Sequence, residues 1–154
     1  MTSCQIVDLA ADQLTADVVV APFFLDQRPL LGPAALLDWR LDGQVTRMLL
    51  DRSVSGKFGE QLVLRNNGKL KADWVLLVGG GAWSRLDQDS YCELVQLAVK
   101  SLSQGGAREP ALCFPQWEGV SLKMLTREVD NQLSRHPHRL ISCQFSCASP
   151  VRGN

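Results

Sequence analysis

Gly79-Gly80-Gly81, followed closely by Trp83, Ser84 and Arg85, is the stretch of this chain whose residue types best suit ligand binding. Successive glycines ahead of a helix can present backbone N–H groups to an anion, and the helix dipole adds to the attraction. A second stretch, Gln116, Trp117 and Gly119, places another indole after another apolar run. Two indoles flanking a cleft, with Arg85 nearby, would sandwich a planar ring beside a negative group. Nucleotides and other phosphorylated small molecules have that chemistry. The same residues have a plainer reading: glycines for a tight turn at positive φ, and tryptophans that cap the core or pack in a subunit interface. The sequence leaves both readings open.

Other chemistries are argued against by what is missing. The glycines are not set in a GxGxxG frame, and no acidic residue follows at a strand end about twenty positions on, so a dinucleotide fingerprint fails. A phosphate-binding Gly-Lys-Ser/Thr loop is absent too. His136 and His138 flank a proline with no third histidine or carboxylate cluster, so no metal site is expected. Asp8, Asp12 and Asp17 read as turn and strand-end residues. The five cysteines, Cys4, Cys92, Cys113, Cys143 and Cys147, sit among apolar neighbours and read as buried reduced thiols. No Ser-His-Asp or Cys-His pairing emerges, and no cofactor is expected.

The elements that must position these residues centre on Lys71-Ala-Asp-Trp-Val-Leu-Leu-Val-Gly-Gly-Gly81. Trp74 to Val78 carries no polar residue to mark an outer face, so it reads as a strand buried on both sides. Trp39 and Trp74 fall in apolar segments and read as core. Further strands are expected over Cys4–Leu9, Asp17–Phe24, Gln61–Arg65 and Pro110–Phe114. Pro22 should end its strand or mark an edge. Arg139–Cys147 alternates cleanly, with Ile141, Cys143, Phe145 and Cys147 inward, and reads as a half-exposed strand near a sheet edge. Asn66-Asn67-Gly68 marks a hairpin.

Three helices complete the pattern. One should run from Pro33 to Arg52 on the stripe Leu37, Leu41, Val45 and Met48, with Gly43 causing a bend or close contact. A second spans Asp87–Ser103, burying Tyr91, Leu94, Val95, Ala98 and Leu102, with Ser84 and Asp87 as a candidate capping box. The third starts at Ser121 and stops at His136-Pro137.

At 154 residues, 45% of them apolar, the chain reads as a single domain over 1–154, able to bury roughly 70% of its unfolded surface. Sixteen basic side chains balance sixteen acidic ones, so no charge excess drives binding to nucleic acid or an anionic membrane. Met1-Thr-Ser-Cys-Gln has neither a basic region nor an apolar core, so no signal peptide is seen and a cytoplasmic location is expected. The stretch from Pro150 to Asn154 reads as a natural end.

Several of these stretches occur together in one known family. Ala16-Asp-Val-Val-Val, Leu-Asp at 37–38, Asp-Gly at 42–43, Gly56-Lys-Phe-Gly-Glu60 and Ala72-Asp-Trp-Val-Leu-Leu-Val-Gly-Gly-Gly81 follow the order typical of the N-terminal domain of leucyl aminopeptidases. The resemblance covers most of residues 16–105. The remainder, Ala111-Leu-Cys-Phe-Pro115, Gly119, a helix, His136-Pro137 and a last strand, resembles the wider macro-domain fold. Both resemblances imply an α/β, macro-domain-like three-layer α/β/α architecture with a central mixed sheet of about six strands.

The departures shape the functional expectation. In the aminopeptidase family, the chemistry belongs to a separate C-terminal domain with two metal ions and an Asn-Thr-Asp-Ala-Glu-Gly-Arg motif, which this sequence does not contain. Macro domains that handle ADP-ribose usually carry Asn-Ala-Ala-Asn and a Gly-Gly-Gly-Val-type loop; here those places read Ala21-Pro22-Phe23-Phe24 and Leu31-Gly32-Pro33-Ala34. The resemblance therefore implies the fold without an active site. The expected role is a non-catalytic accessory or assembly domain, partnered by itself or by a separate aminopeptidase catalytic chain. The alternative is a nucleotide or phosphorylated-ligand module using Gly79, Gly80, Gly81, Trp83, Ser84, Arg85, Gln116, Trp117 and Gly119.

Overall fold

The computed structural model describes residues 4–135 and 142–147. Six strands form one sheet in the order β1-β6-β5-β2-β4-β3: β1 (Cys4–Ile6), β2 (Ala16–Phe23), β3 (Gln61–Arg65), β4 (Ala72–Gly79), β5 (Ala111–Cys113) and β6 (Cys143–Ser146). All neighbours are parallel except β3, which returns antiparallel to β4 through the Asn66-Asn67-Gly68 turn. The mixed sheet is as the sequence predicts.

Alternation along the central strands divides the core in two. Val19, Val75 and Leu77 face one side, where α1 (Gly32–Arg40) and α2 (Gln44–Leu50) cover them with Ala34, Leu37, Leu41 and Val45. Val20, Leu76, Val78 and Phe145 face the other, under α3 (Gln88–Gln104) and α4 (Leu122–Arg135). Each side chain buried this way stabilises the fold by about 1.5–3 kcal/mol. The predicted α3 stripe of Tyr91, Leu94, Val95, Ala98 and Leu102 is buried throughout.

Helix starts follow local hydrogen bonds. Asp87 caps α3, accepting from the Ser90 backbone N–H at 2.7 Å, while Ser90 Oγ accepts from the Asp87 N–H at 3.0 Å. The capping box therefore pairs Asp87 with Ser90, and Ser84 takes no part in it. Ser121 Oγ accepts from the Met124 N–H at 3.1 Å and starts α4 as predicted.

The single helix expected over Pro33–Arg52 is two helices. Asp42 and Gly43 adopt left-handed backbone, with φ of 58° and 75°, and this breaks the α1 ladder. Buried Asp38 then caps α2, accepting from the Val45 N–H at 2.7 Å and the Thr46 N–H at 3.2 Å. Trp39 and Trp74 are also corrected: they are 68% and 42% exposed and do not belong to the core. Trp39 lies off the buried stripe of α1, next to the Arg40 guanidinium at 4.7 Å, and Trp74 sits at the open entry of β4 beside Arg65 at 5.9 Å. Burial on both sides of β4 begins only at Val75.

β6 lies one strand in from the edge formed by β1. Its alternation predicts Ser146 outward, yet on this interior strand Ser146 is fully buried, its hydroxyl satisfied by donating to the Leu9 carbonyl at 2.5 Å. β2 continues one residue beyond Pro22, past its pairing with β5 at Val19 and Val20. The expectations for 136–141, including both histidines and the start of the last strand, and for Pro150–Asn154 lie outside the described residues. Among the described residues, no helix is long and apolar enough to cross a membrane.

Candidate functional site

The parallel strands β2, β4, β5 and β6 end on the same side of the sheet, the usual position for a ligand in open α/β folds. A hollow of about 370 Å³ lies there, between Pro22 near the end of β2 and Phe24 just beyond it, Pro33 at the start of α1, Trp83 after β4, Gln116 after β5 and Cys147 after β6. A second hollow of about 470 Å³ adjoins it, sharing Gln116 and Cys147 and walled by Trp117, Val120 and Leu125.

The two tryptophans thus line neighbouring hollows and do not face one another across a single cleft. Trp83 packs edge-on against Phe24, with ring centroids 4.9 Å apart and planes at 78°. Trp117 stacks on Tyr91 at 6.0 Å and 23°. The indole lies over bare backbone at Gly119, where a Cβ would lie 2.0 Å from a ring carbon of Trp117. Ser84 and Arg85 are exposed and line neither hollow.

The glycine turn is occupied by the protein's own hydrogen bonds. Gly79 N–H donates to Glu60 O at 2.6 Å, Gly80 N–H to Phe23 O at 2.9 Å and Gly81 N–H to Gly56 O at 2.9 Å. Only Gly81 of the three has positive φ, at 74°. Gly79 and Gly80 answer a different demand, close approach: a Cβ would lie 2.0 Å from Lys57 O at the first and 2.4 Å from the Phe24 ring at the second. The loop pressed against the turn is itself held by Glu60, whose carboxylate accepts from the Ser55 and Gly56 N–H groups, each at 2.8 Å.

Asp26 is the residue that sequence reasoning missed. Its carboxylate accepts from the Trp83 N–H at 2.7 Å and the Ser84 N–H at 3.0 Å, the two amides that open the short 3-10 turn Trp83–Arg85. These bonds, Ser84 foremost and then Trp83, hold its carboxyl below the ordinary 3.8. A carboxylate of the chain therefore sits where an incoming anion would meet backbone donors. Nearby Arg28 is turned to backbone oxygens, donating to Phe24 O at 3.0 Å, Gln27 O at 2.8 Å and Ser55 O at 2.7 Å.

Burial pushes the Cys147 thiol up to about 11, so it is protonated and a weak nucleophile at neutral pH. Among the described residues there is no histidine to act as base and no cluster of side chains that could hold a metal ion.

Comparison with known proteins accounts for the arrangement. The profile of the cytosol aminopeptidase family, N-terminal domain, matches residues 19–127. A probable cytosol aminopeptidase from Colwellia psychrerythraea is 32% identical over 102 residues, which are 66% of this chain and 20% of that protein. The chain thus matches about a fifth of the length of such relatives. Among solved structures, a mutant of tomato leucine aminopeptidase superposes with a TM-score of 0.71 at 21% identity, over 98% of this chain and 34% of that one. A Trypanosoma brucei macrodomain in complex with ADP-ribose gives 0.60 at 20% identity, over 92% of this chain and 62% of that one. The three-layer fold is macrodomain-like, and the profile match over most of its length shows that the chain belongs to the cytosol aminopeptidase family, through that family's N-terminal domain.

Proposed function

We propose that this chain is a non-catalytic accessory and assembly domain, working in the cytoplasm with a second copy of itself or with an aminopeptidase catalytic chain. The observation that carries the reading is the position of the family match, on the N-terminal domain. Two features support it. The hollows hold a protonated thiol and backbone amides that are already bonded. Trp39 and Leu50, on α1 and α2, are 68% and 77% exposed, away from the strand ends. Exposed tryptophan is enriched at surfaces where one chain packs on another. The test is sedimentation of the purified chain over a range of concentrations, alone and with an aminopeptidase catalytic chain. A concentration-dependent complex weakened by Trp39→Ala with Leu50→Ser is expected. A chain that stays monomeric and unbound throughout overturns assembly, and metal-dependent hydrolysis of leucine amide that scales with the protein overturns the non-catalytic role.

The hollow beside Trp83 favours a second reading, a binding module for a nucleotide or another phosphorylated small molecule, as in the macrodomain that holds ADP-ribose. It ranks second because the Asp26 carboxylate stands against an anion at the Trp83 and Ser84 amides. Thermal unfolding with nucleotides, ADP-ribose and phosphate decides it. Ligand at about a hundred times its dissociation constant adds about 2.7 kcal/mol, and a shift abolished by Trp83→Ala would promote this reading.

A further inference from the structure

Cys4 and Cys143 stand directly opposite one another on the parallel neighbours β1 and β6. Their sulfurs are 3.4 Å apart, with the Cys4 thiol donating to Cys143 Sγ. No disulfide joins them. In-register residues on adjacent strands have Cα atoms within the 4.4–6.8 Å span of a disulfide, so rotation of the two side chains can close the remaining gap. Cys143 is buried, and Cys4 is half-buried at the sheet edge. The backbone N–H of Cys4 is fixed by Asp130 Oδ1 of α4 at 2.9 Å, which holds the two cysteines in register.

We propose that Cys4 and Cys143 are a redox-active thiol pair that a peroxide converts to an intramolecular disulfide, locking the edge strand β1 onto β6. Cys4, the accessible member, gives up its thiol proton and its sulfur attacks a peroxide oxygen; the O–O bond breaks, and the departing hydroxide takes up that proton, giving a Cys4 sulfenic acid and, with hydrogen peroxide, one water. The Cys143 sulfur then attacks the Cys4 sulfur and expels the hydroxyl, which takes up the Cys143 proton and leaves as a second water. Two thiols are oxidised, one peroxide is reduced, and a dithiol reductant reverses the step. The Cys143 sulfur, burial and the Asp130 carboxylate all hold the Cys4 thiol above its ordinary value. The pair is therefore slower than a solvent thiol and responds to sustained exposure. What it gains from closure is mechanical: β1 is three residues long and, among the described residues, pairs only with β6.

The test is prolonged incubation of the folded full chain with hydrogen peroxide, followed by denaturation, alkylation of remaining thiols with N-ethylmaleimide, intact mass and peptide mapping. Alkylation falling from five thiols to three, a cross-linked peptide joining Cys4 to Cys143 and a raised unfolding midpoint are expected. Cys143→Ser should abolish all three changes, Cys92→Ser should abolish none, and Cys4→Ser at the half-buried position gives the same answer as Cys143→Ser should the latter fold poorly. The proposal is overturned by five free thiols under conditions that fully oxidise a small dithiol. It is equally overturned by a disulfide elsewhere, such as Cys113 to Cys147 or between chains, or by over-oxidised Cys4 without a cross-link.

Discussion

Asp26 and Trp83, 57 positions apart in the chain, are joined by a hydrogen bond of 2.7 Å from the Trp83 backbone N–H to the Asp26 carboxylate. Asp26→Ala removes that bond and the one from Ser84, and the freed amides meet water. The cost should therefore be that of losing an exposed cap, about 1 kcal/mol in urea unfolding at neutral pH. The folded carboxyl lies below its ordinary 3.8, so its contribution is complete above that value and fades as the pH falls through the lower folded value. Variant and parent should converge in strongly acid solution; an undiminished difference there would mean that Asp26 acts by some other route.

Asp38 has a larger role because it is buried. It accepts from the Val45 and Thr46 N–H groups and from Thr46 Oγ1, at 2.7, 3.2 and 2.5 Å. Asp38→Ala strands these donors at the junction of α1 and α2 and should cost about 2–3 kcal/mol, whereas Asp38→Asn keeps an acceptor and should cost about 1 kcal/mol. Equal losses in chemical denaturation would show that charge, not acceptance, is what matters.

Two glycines separate backbone from side-chain crowding. Gly79→Ala drives a Cβ to 2.0 Å from Lys57 O, a backbone atom pinned in its loop, and should destabilise by more than about 2 kcal/mol. Gly119→Ala meets the Trp117 ring at the same distance, but that half-exposed indole can swing aside. The second change should cost under about 1 kcal/mol while displacing Trp117 from Tyr91, read as an altered near-ultraviolet circular dichroism spectrum.

Tyr91 is the chain's single tyrosine, fully buried, with its hydroxyl donating to Pro115 O. Tyr91→Phe should cost about 1 kcal/mol. Burial holds the phenol protonated above its ordinary 10.0, so the folded state keeps a proton that the unfolded chain releases. That stabilisation is intact below 10.0 and declines as the pH rises beyond it. Phenolate absorbance should appear only together with unfolding; ionisation in the native protein would contradict the buried geometry.

The fold was legible wherever apolar periodicity is local. The β4 run, the α3 stripe and the Ser121 cap each carry their own signal within a few residues. Trp39 and Trp74 misled because side-chain apolarity says nothing about which face a neighbour will cover; each instead meets an arginine. The α1–α2 break was half visible at Gly43, but the Asp38 carboxylate that completes it acts seven and eight residues ahead. At the candidate site, the glycines and both tryptophans were recognisable by type. Their hydrogen-bond partners, Glu60, Phe23, Gly56 and Asp26, come from distant segments, and no local pattern announces them.

Leu76 and Leu77 are sequence neighbours that belong to different cores, because the sheet sends one toward α3 and the other toward α1. Truncating both should give the sum of the single losses, since their side chains share no void. The sheet is thus a partition as well as a scaffold. Substitutions that accumulate under α3 and α4, behind the Trp117 hollow, leave the packing that supports Trp39 and Leu50 undisturbed. A chain partitioned in this way can drift toward a new occupant on one flank while the other keeps its existing contacts.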